Sequence, residues 1–197
     1  MKTSRTKCAL CAATLFAIAF AGPGVARMRA APTISAPQAE ASPSPEMAKL
    51  IKLYRGTWDY TESYAKSTEM PNGGENTGVY SSELGPGSMS ILNRFHSKGP
   101  AGDYEGFMIM TWDAKEKAYK EYLVGNGIPG AVISTGQFEG DTLIFRTTFT
   151  MGDKSYLIRN ETHLDAKGLL ISDEFIGTPA PGEKQTPSVH VVATRRP

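Results

Sequence analysis

The 197-residue chain has two cysteines, three histidines and almost no surplus of charge. Cys8 and Cys11 both fall in an N-terminal stretch with the marks of a removable leader, so the mature chain is expected to hold no cysteine. That excludes disulfides, thiolate metal ligands and a cysteine nucleophile, and it leaves stability to the core. Lys and Arg number 21 against 20 Asp and Glu, a formal net charge of +1. A dedicated nucleic-acid binder normally shows a basic excess. Mean hydropathy is −0.28, and the one notable apolar run is too short to span a bilayer, so a multi-span membrane protein is excluded.

That run, Cys8 to Ala21, is about fourteen residues long and follows Lys2, Arg5 and Lys7, the layout of a secretory signal. Gly22-Pro23-Gly24 breaks it, and Gly24-Val25-Ala26 places small residues before a cleavage point after Ala26. The expected leader is therefore 1–26, and export to the periplasm or medium follows. Cleavage at Ala30 or Ala31 fits the same pattern. Lipidation at Cys11 fails because the apolar run lies after that residue. Losing the three basic residues shifts the formal charge to −2.

Residues 27–45 are rich in Ala, Pro and Ser with few large apolar side chains, too little to offset chain entropy, and read as a disordered tether. A helix follows, capped by Ser44 with Pro45 in its first turn. Met47, Leu50, Ile51 and Tyr54 form its apolar face, and it is expected to end at Gly56. From Thr57 the pattern becomes short runs of β-branched and aromatic residues between turn signals. About ten strands are predicted: Thr57–Ala65, Gly78–Leu84, Met89–His96, Tyr104–Trp112, Ala118–Val124, Ala131–Phe138, Thr142–Thr150, Ser155–Leu164, Leu169–Gly177 and Ser188–Arg195. Asp113–Glu116, Glu139–Asp141, Gly152–Lys154 and Asp165–Gly168 read as hairpin turns, with Pro71–Asn76 and Pro179–Pro187 as longer rim loops.

No helical pattern separates the strands, which disfavours parallel crossovers. An antiparallel series leaves two open edges unless it closes on itself. The predicted fold is an all-β, antiparallel up-and-down barrel over 46–197 with a short N-terminal helix. A two-sheet sandwich is the alternative.

Gly56-Thr57-Trp58 stands where the helix meets the first strand, the opening pattern of lipocalin-like barrels. Trp58 there plugs the barrel base, and in that superfamily a basic residue near the chain end often packs across it; Arg195 and Arg196 are available for this, the alternative being solvated terminal charges. Leu84-Gly85-Pro86-Gly87-Ser88-Met89-Ser90, Gly102-Asp103-Tyr104-Glu105-Gly106-Phe107 and Thr111-Trp112-Asp113 follow in order. Ala118-Tyr119-Lys120 and Gly136-Gln137-Phe138-Glu139-Gly140-Asp141 come next, with Leu143 and Phe145 behind them. Together these motifs resemble a bacterial, mostly secreted, lipocalin-like (calycin-type) family of unknown function. The resemblance implies a calycin barrel and carries no activity or site. A more distant resemblance is to nitrobindin-like haem barrels, which have ten strands and a haem-ligating His on the last. Here that strand holds Ser188-Val189-His190-Val191-Val192, so the resemblance implies His190 as the axial ligand.

No catalytic constellation is recognisable. Glu105 and Asp113 lie too far apart along one strand for paired acid–base work. Asn72-Gly73-Gly74 lacks the lysine and helix of a phosphate loop. His96 and His163 fall on faces shared with charged residues, directed to solvent, and no spacing calls for a metal. Asn160-Glu161-Thr162 matches a glycosylation sequon in mid-strand.

Alternation places Trp58, Tyr60, Glu62 and Tyr64 on one face of the first strand. Met108, Met110 and Trp112 share a face of the fourth strand, Leu143, Phe145 and Phe149 of the seventh, and Tyr156, Ile158, Asn160 and Thr162 of the eighth. Apolar walls with sparse polar groups are how ligand pockets are built. The candidate wall is Trp58, Tyr60, Glu62, Tyr64, Met108, Met110, Trp112, Phe145, Tyr156 and Asn160. Glu62 is the informative member, because an inward carboxylate is costly unless paired with a ligand or with tyrosine hydroxyls. Three readings stand open: an exported barrel holding a small apolar or amphipathic molecule, a ligand-free interaction module in the cell envelope, and a haem barrel using His190. Nucleic acid and stable membrane insertion after signal cleavage are not expected of any of them.

Overall fold

The computed structural model describes residues 42–67, 71–128, 130–151, 154–177 and 185–197. The leader, most of the tether, the Gly152-Asp153 turn and most of the Pro179–Pro187 loop lie outside the described residues. Helix α1 spans Pro45–Tyr54. Ten strands follow: β1 Gly56–Tyr64, β2 Gly74–Leu84, β3 Ser90–Gly99, β4 Gly102–Asp113, β5 Ala118–Gly125, β6 Val132–Glu139, β7 Thr142–Met151, β8 Lys154–Leu164, β9 Leu170–Ile176 and β10 Val189–Arg195. Each strand pairs antiparallel with its sequence neighbour, and β1 pairs antiparallel with β10, closing the barrel. Closure removes both sheet edges, so the sandwich alternative falls.

The turn chemistry is local. Asp113 Oδ1 accepts from the Lys115 and Glu116 amides at 2.9 and 3.0 Å, and Asp165 Oδ1 does the same for Lys167 and Leu169. Gly140, at φ 64°, supplies the left-handed residue between β6 and β7. Strand ends shift by one to three residues from the sequence reading in several places, and the start of β2 shifts most: it begins at Gly74, so Gly74–Asn76 belong to a strand and not to a loop. Their polar character hid this, because Asn76 is buried as a structural tie. Its Nδ2 donates to the Gly102 carbonyl at 3.1 Å and to Glu62 Oε1 at 3.3 Å, while its Oδ1 accepts from the Ala101 amide at 3.0 Å.

Helix α1 lies across one end of the barrel. Ser44 Oγ accepts from the Met47 amide at 3.2 Å, with Pro45 in the first turn, as expected. Met47, Leu50, Leu53 and Tyr54 are buried, Ile51 is partly buried against the same cluster, and Arg55 rather than Gly56 ends the helix. Full burial of one such side chain contributes about 1.5–3 kcal/mol, so this face holds the short helix in place. The helix packs into a cluster with Trp58, Ile91, Met110, Tyr119, Leu143 and Phe145. Trp58 is fully buried, stacks on Tyr80 with ring centroids 5.8 Å apart, and its Nε1–H donates to the Tyr54 carbonyl at 2.8 Å. The Arg195 guanidinium covers the other side of the indole at 4.4 Å and donates to the Lys52 carbonyl at 3.2 Å. Arg196 instead pairs with Asp59 on the outer surface.

Candidate functional site

Beyond the helix-capped core the barrel encloses a cavity of about 440 Å³. Strands set its wall by strict alternation, so one inward residue fixes every second neighbour. Of the expected wall, Tyr60, Glu62, Met108, Met110, Phe145 and Asn160 line the cavity. Trp58 and Trp112 do not. Both face inward but belong to the capped end, Trp112 against Tyr119 at 4.9 Å between centroids and Tyr119 against Phe138 at 5.4 Å. Tyr64 and Tyr156 also lie outside the wall. Tyr64 sits beside the Tyr104 ring at 6.5 Å, and Tyr156 is half-buried opposite Phe149. Face alternation cannot separate these positions from the wall, because it fixes the direction of a side chain and not its height in the barrel.

His190 is placed on the outer face. Its neighbour Val191 lines the cavity, while the imidazole Nδ1 lies 2.7 Å from Asp173 Oδ1 in the open. An interior haem cannot be ligated from there. His96 is likewise external, 2.8 Å from Asp103. Asn160 points inward, where its Nδ2 donates to Ser172 Oγ at 3.0 Å and its Oδ1 accepts from Thr162 Oγ1 at 2.9 Å, so the sequon at this position is closed off inside the barrel.

Three cross-strand pairs keep the lumen open. Tyr60 faces Gly78, Phe95 faces Gly106 and Phe145 faces Gly136. Each ring lies over its glycine, flat against the wall: a methyl group on Gly136 would fall 2.6 Å from Phe145 Cδ1, and one on Gly78 2.6 Å from Tyr60 Cζ. Gly136→Ala is therefore expected to push the Phe145 ring into the cavity and to cost about 1–3 kcal/mol by overpacking. Urea denaturation checks this, and an unchanged midpoint would show that the ring has room to yield.

The sequence reading missed two acids of the wall, along with other members such as Tyr80, Asn93 and Phe95. Glu121 on β5 and Glu174 on β9 join Glu62 on β1 as lining residues. Glu121 accepts from Ser134 Oγ at 3.0 Å, and burial still raises its carboxyl to about 7, with Glu174 adding to the rise. Burial, with Glu62 nearby, raises Glu174 as well. Glu62 Oε1 accepts from Ser97 Oγ and from Asn76, and the Glu62 carboxylate is also hydrogen-bonded to Tyr64, one of the tyrosines the sequence suggested as an alternative to a ligand. Burial pushes the Tyr60 hydroxyl up to about 12 and raises Tyr54 and Tyr80 further, so these phenols stay neutral donors and acceptors at physiological pH. No model of a known protein family matches the chain, and no curated protein matches it.

Proposed function

We infer that this is an exported, lipocalin-like protein that takes up a small apolar or amphipathic molecule inside its barrel. The observation that carries the reading is the cavity of about 440 Å³, lined by Tyr60, Phe95, Met108, Phe145 and Phe149 with only scattered polar groups. Ligand pockets run to roughly 300–1,000 Å³ and have this mixture of walls and anchors. Export rests on the 1–26 leader pattern, and the lipocalin-like assignment on the ordered motifs from Gly56 to Phe145. Chemistry on the guest is not part of the reading.

Native mass spectrometry of the protein purified from a bacterial periplasm tests uptake directly. The wild type should carry a retained small molecule, and Met108→Trp, which fills the lumen, should emerge without it. Equal retention by both proteins, or an empty wild type that also ignores an environment-sensitive apolar dye, would remove the proposal. The intact mass of the same sample should begin at Arg27.

A further inference from the structure

We propose that the guest of this barrel is an organic cation: a protonated amine or quaternary ammonium on an apolar body that also bears an oxygen acceptor. This rests on the uptake reading above and names the chemistry of that same cavity.

The wall is asymmetric in charge. Glu62, Glu121 and Glu174 reach it from three different strands, and among the described lining residues there is no Lys, Arg or His to answer them. A carboxylate on an apolar wall is costly unless something pairs with it. Glutamine has nearly the same shape without that cost, so three glutamates are the wrong wall for a neutral guest. They are worse for an anionic one, which brings further negative charge against them in a low-dielectric space. A protonated amine instead donates charge-assisted hydrogen bonds to the carboxylates, and a quaternary ammonium offsets their charge directly.

The guest is also more than a bare ion. Among the described residues no group of three or more His, Cys, Asp or Glu is placed to hold a metal. Independently of the acids, two polar atoms on the same wall are buried and lack a partner: Tyr80 Oη and Asn93 Nδ2. Asn93 is only 1% exposed, and its Oδ1 is already taken by Ser82. An amide N–H left unpaired at such a depth asks for an acceptor, and an ether, hydroxyl or carbonyl oxygen on the guest meets it. The rest of the wall, with Phe145, Met108 and Met110, takes the apolar body.

Three eight-carbon probes of one length test the charge preference: octylamine, octan-1-ol and octanoate, titrated calorimetrically into the full mature chain at about pH 8, where the amine is protonated. Octylamine should bind at least about tenfold more tightly than octan-1-ol, and octanoate most weakly. Glu174→Gln should erase most of the octylamine preference, and a variant that keeps the full preference would overturn the role given to this carboxylate. Equal affinities for all three probes would overturn the cation preference and leave the uptake reading standing. Failure of a folded wild type to bind any of them would overturn both, and a preference for octanoate would overturn the cation reading outright.

Discussion

Trp58→Ala is expected to lower stability by about 3–5 kcal/mol, the range for removing a large buried aromatic, against a total of roughly 5–15 kcal/mol for a domain. The loss is more than a cavity. The indole stacks on Tyr80, carries Arg195 on its other side, and donates to the Tyr54 carbonyl at the end of α1. Removing it orphans that carbonyl and loosens the helix from the barrel end. Urea unfolding followed by far-ultraviolet circular dichroism should show a much lower midpoint with an unchanged slope. Trp58→Phe keeps most of the ring area and loses the N–H bond, so it should fall between the two. A Trp58→Ala midpoint close to wild type would mean that the capped end does not hold the barrel together.

The empty protein should be more stable at pH 5 than at pH 8, and Glu121→Gln should remove much of the difference. The Glu121 carboxyl is raised from 4.5 to about 7 in the folded state, first by burial and then by Glu174. Between those values the folded chain holds a proton that the unfolded chain has released. Stability therefore falls as pH rises through this window and levels off above it. The full cost is on the order of 3 kcal/mol, since each tenfold change in proton affinity between the two states is worth about 1.4 kcal/mol. Glu174 is raised by burial and by Glu62, and contributes with the same sign. The groups around them are Ser134 on β6, Tyr54 on α1 and Glu62 on β1, none of them a cation. Glutamine at 121 still accepts from Ser134 and carries no charge at any pH. Urea midpoints across pH 5 to 8 check this, and a curve as steep in the variant as in the wild type would place the titration elsewhere.

The positions that escaped the sequence reading share a cause. On β5 the inward set is Tyr119, Glu121 and Leu123, and the outward set includes Tyr122 and Val124. Those two apolar residues remain 41% and 42% exposed, so hydrophobic alternation marks both faces equally. On β9 the outward Phe175 is buried all the same, because the Arg159 guanidinium covers its ring at 4.4 Å. Glu174 beside it then passes for a surface acid. β1 misleads less: Trp58, Tyr60 and Tyr64 agree on one face, and Glu62 comes inward with them. The motif glycines at 106 and 136 were visible as a pattern, but their reason, the Phe95 and Phe145 rings lying across them, appears only once the partner strands are aligned.

The helix with its Ser44 cap, the ten strands, their aspartate and glycine turns and the tryptophan at the first strand are set by residues near one another in the chain. Short-range hydrogen bonding, backbone freedom and side-chain periodicity act over a few positions, so the one-dimensional order suffices to specify them. Closure was expected from the strand series, with a sandwich as the alternative; the pairing of β1 with β10 that settles it, the depth at which each inward side chain sits, and the meeting of Glu62, Glu121 and Glu174 appear only in the tertiary structure. Burial and the interaction of like charges depend on distances across the barrel between segments far apart in sequence, and no local pattern encodes those distances.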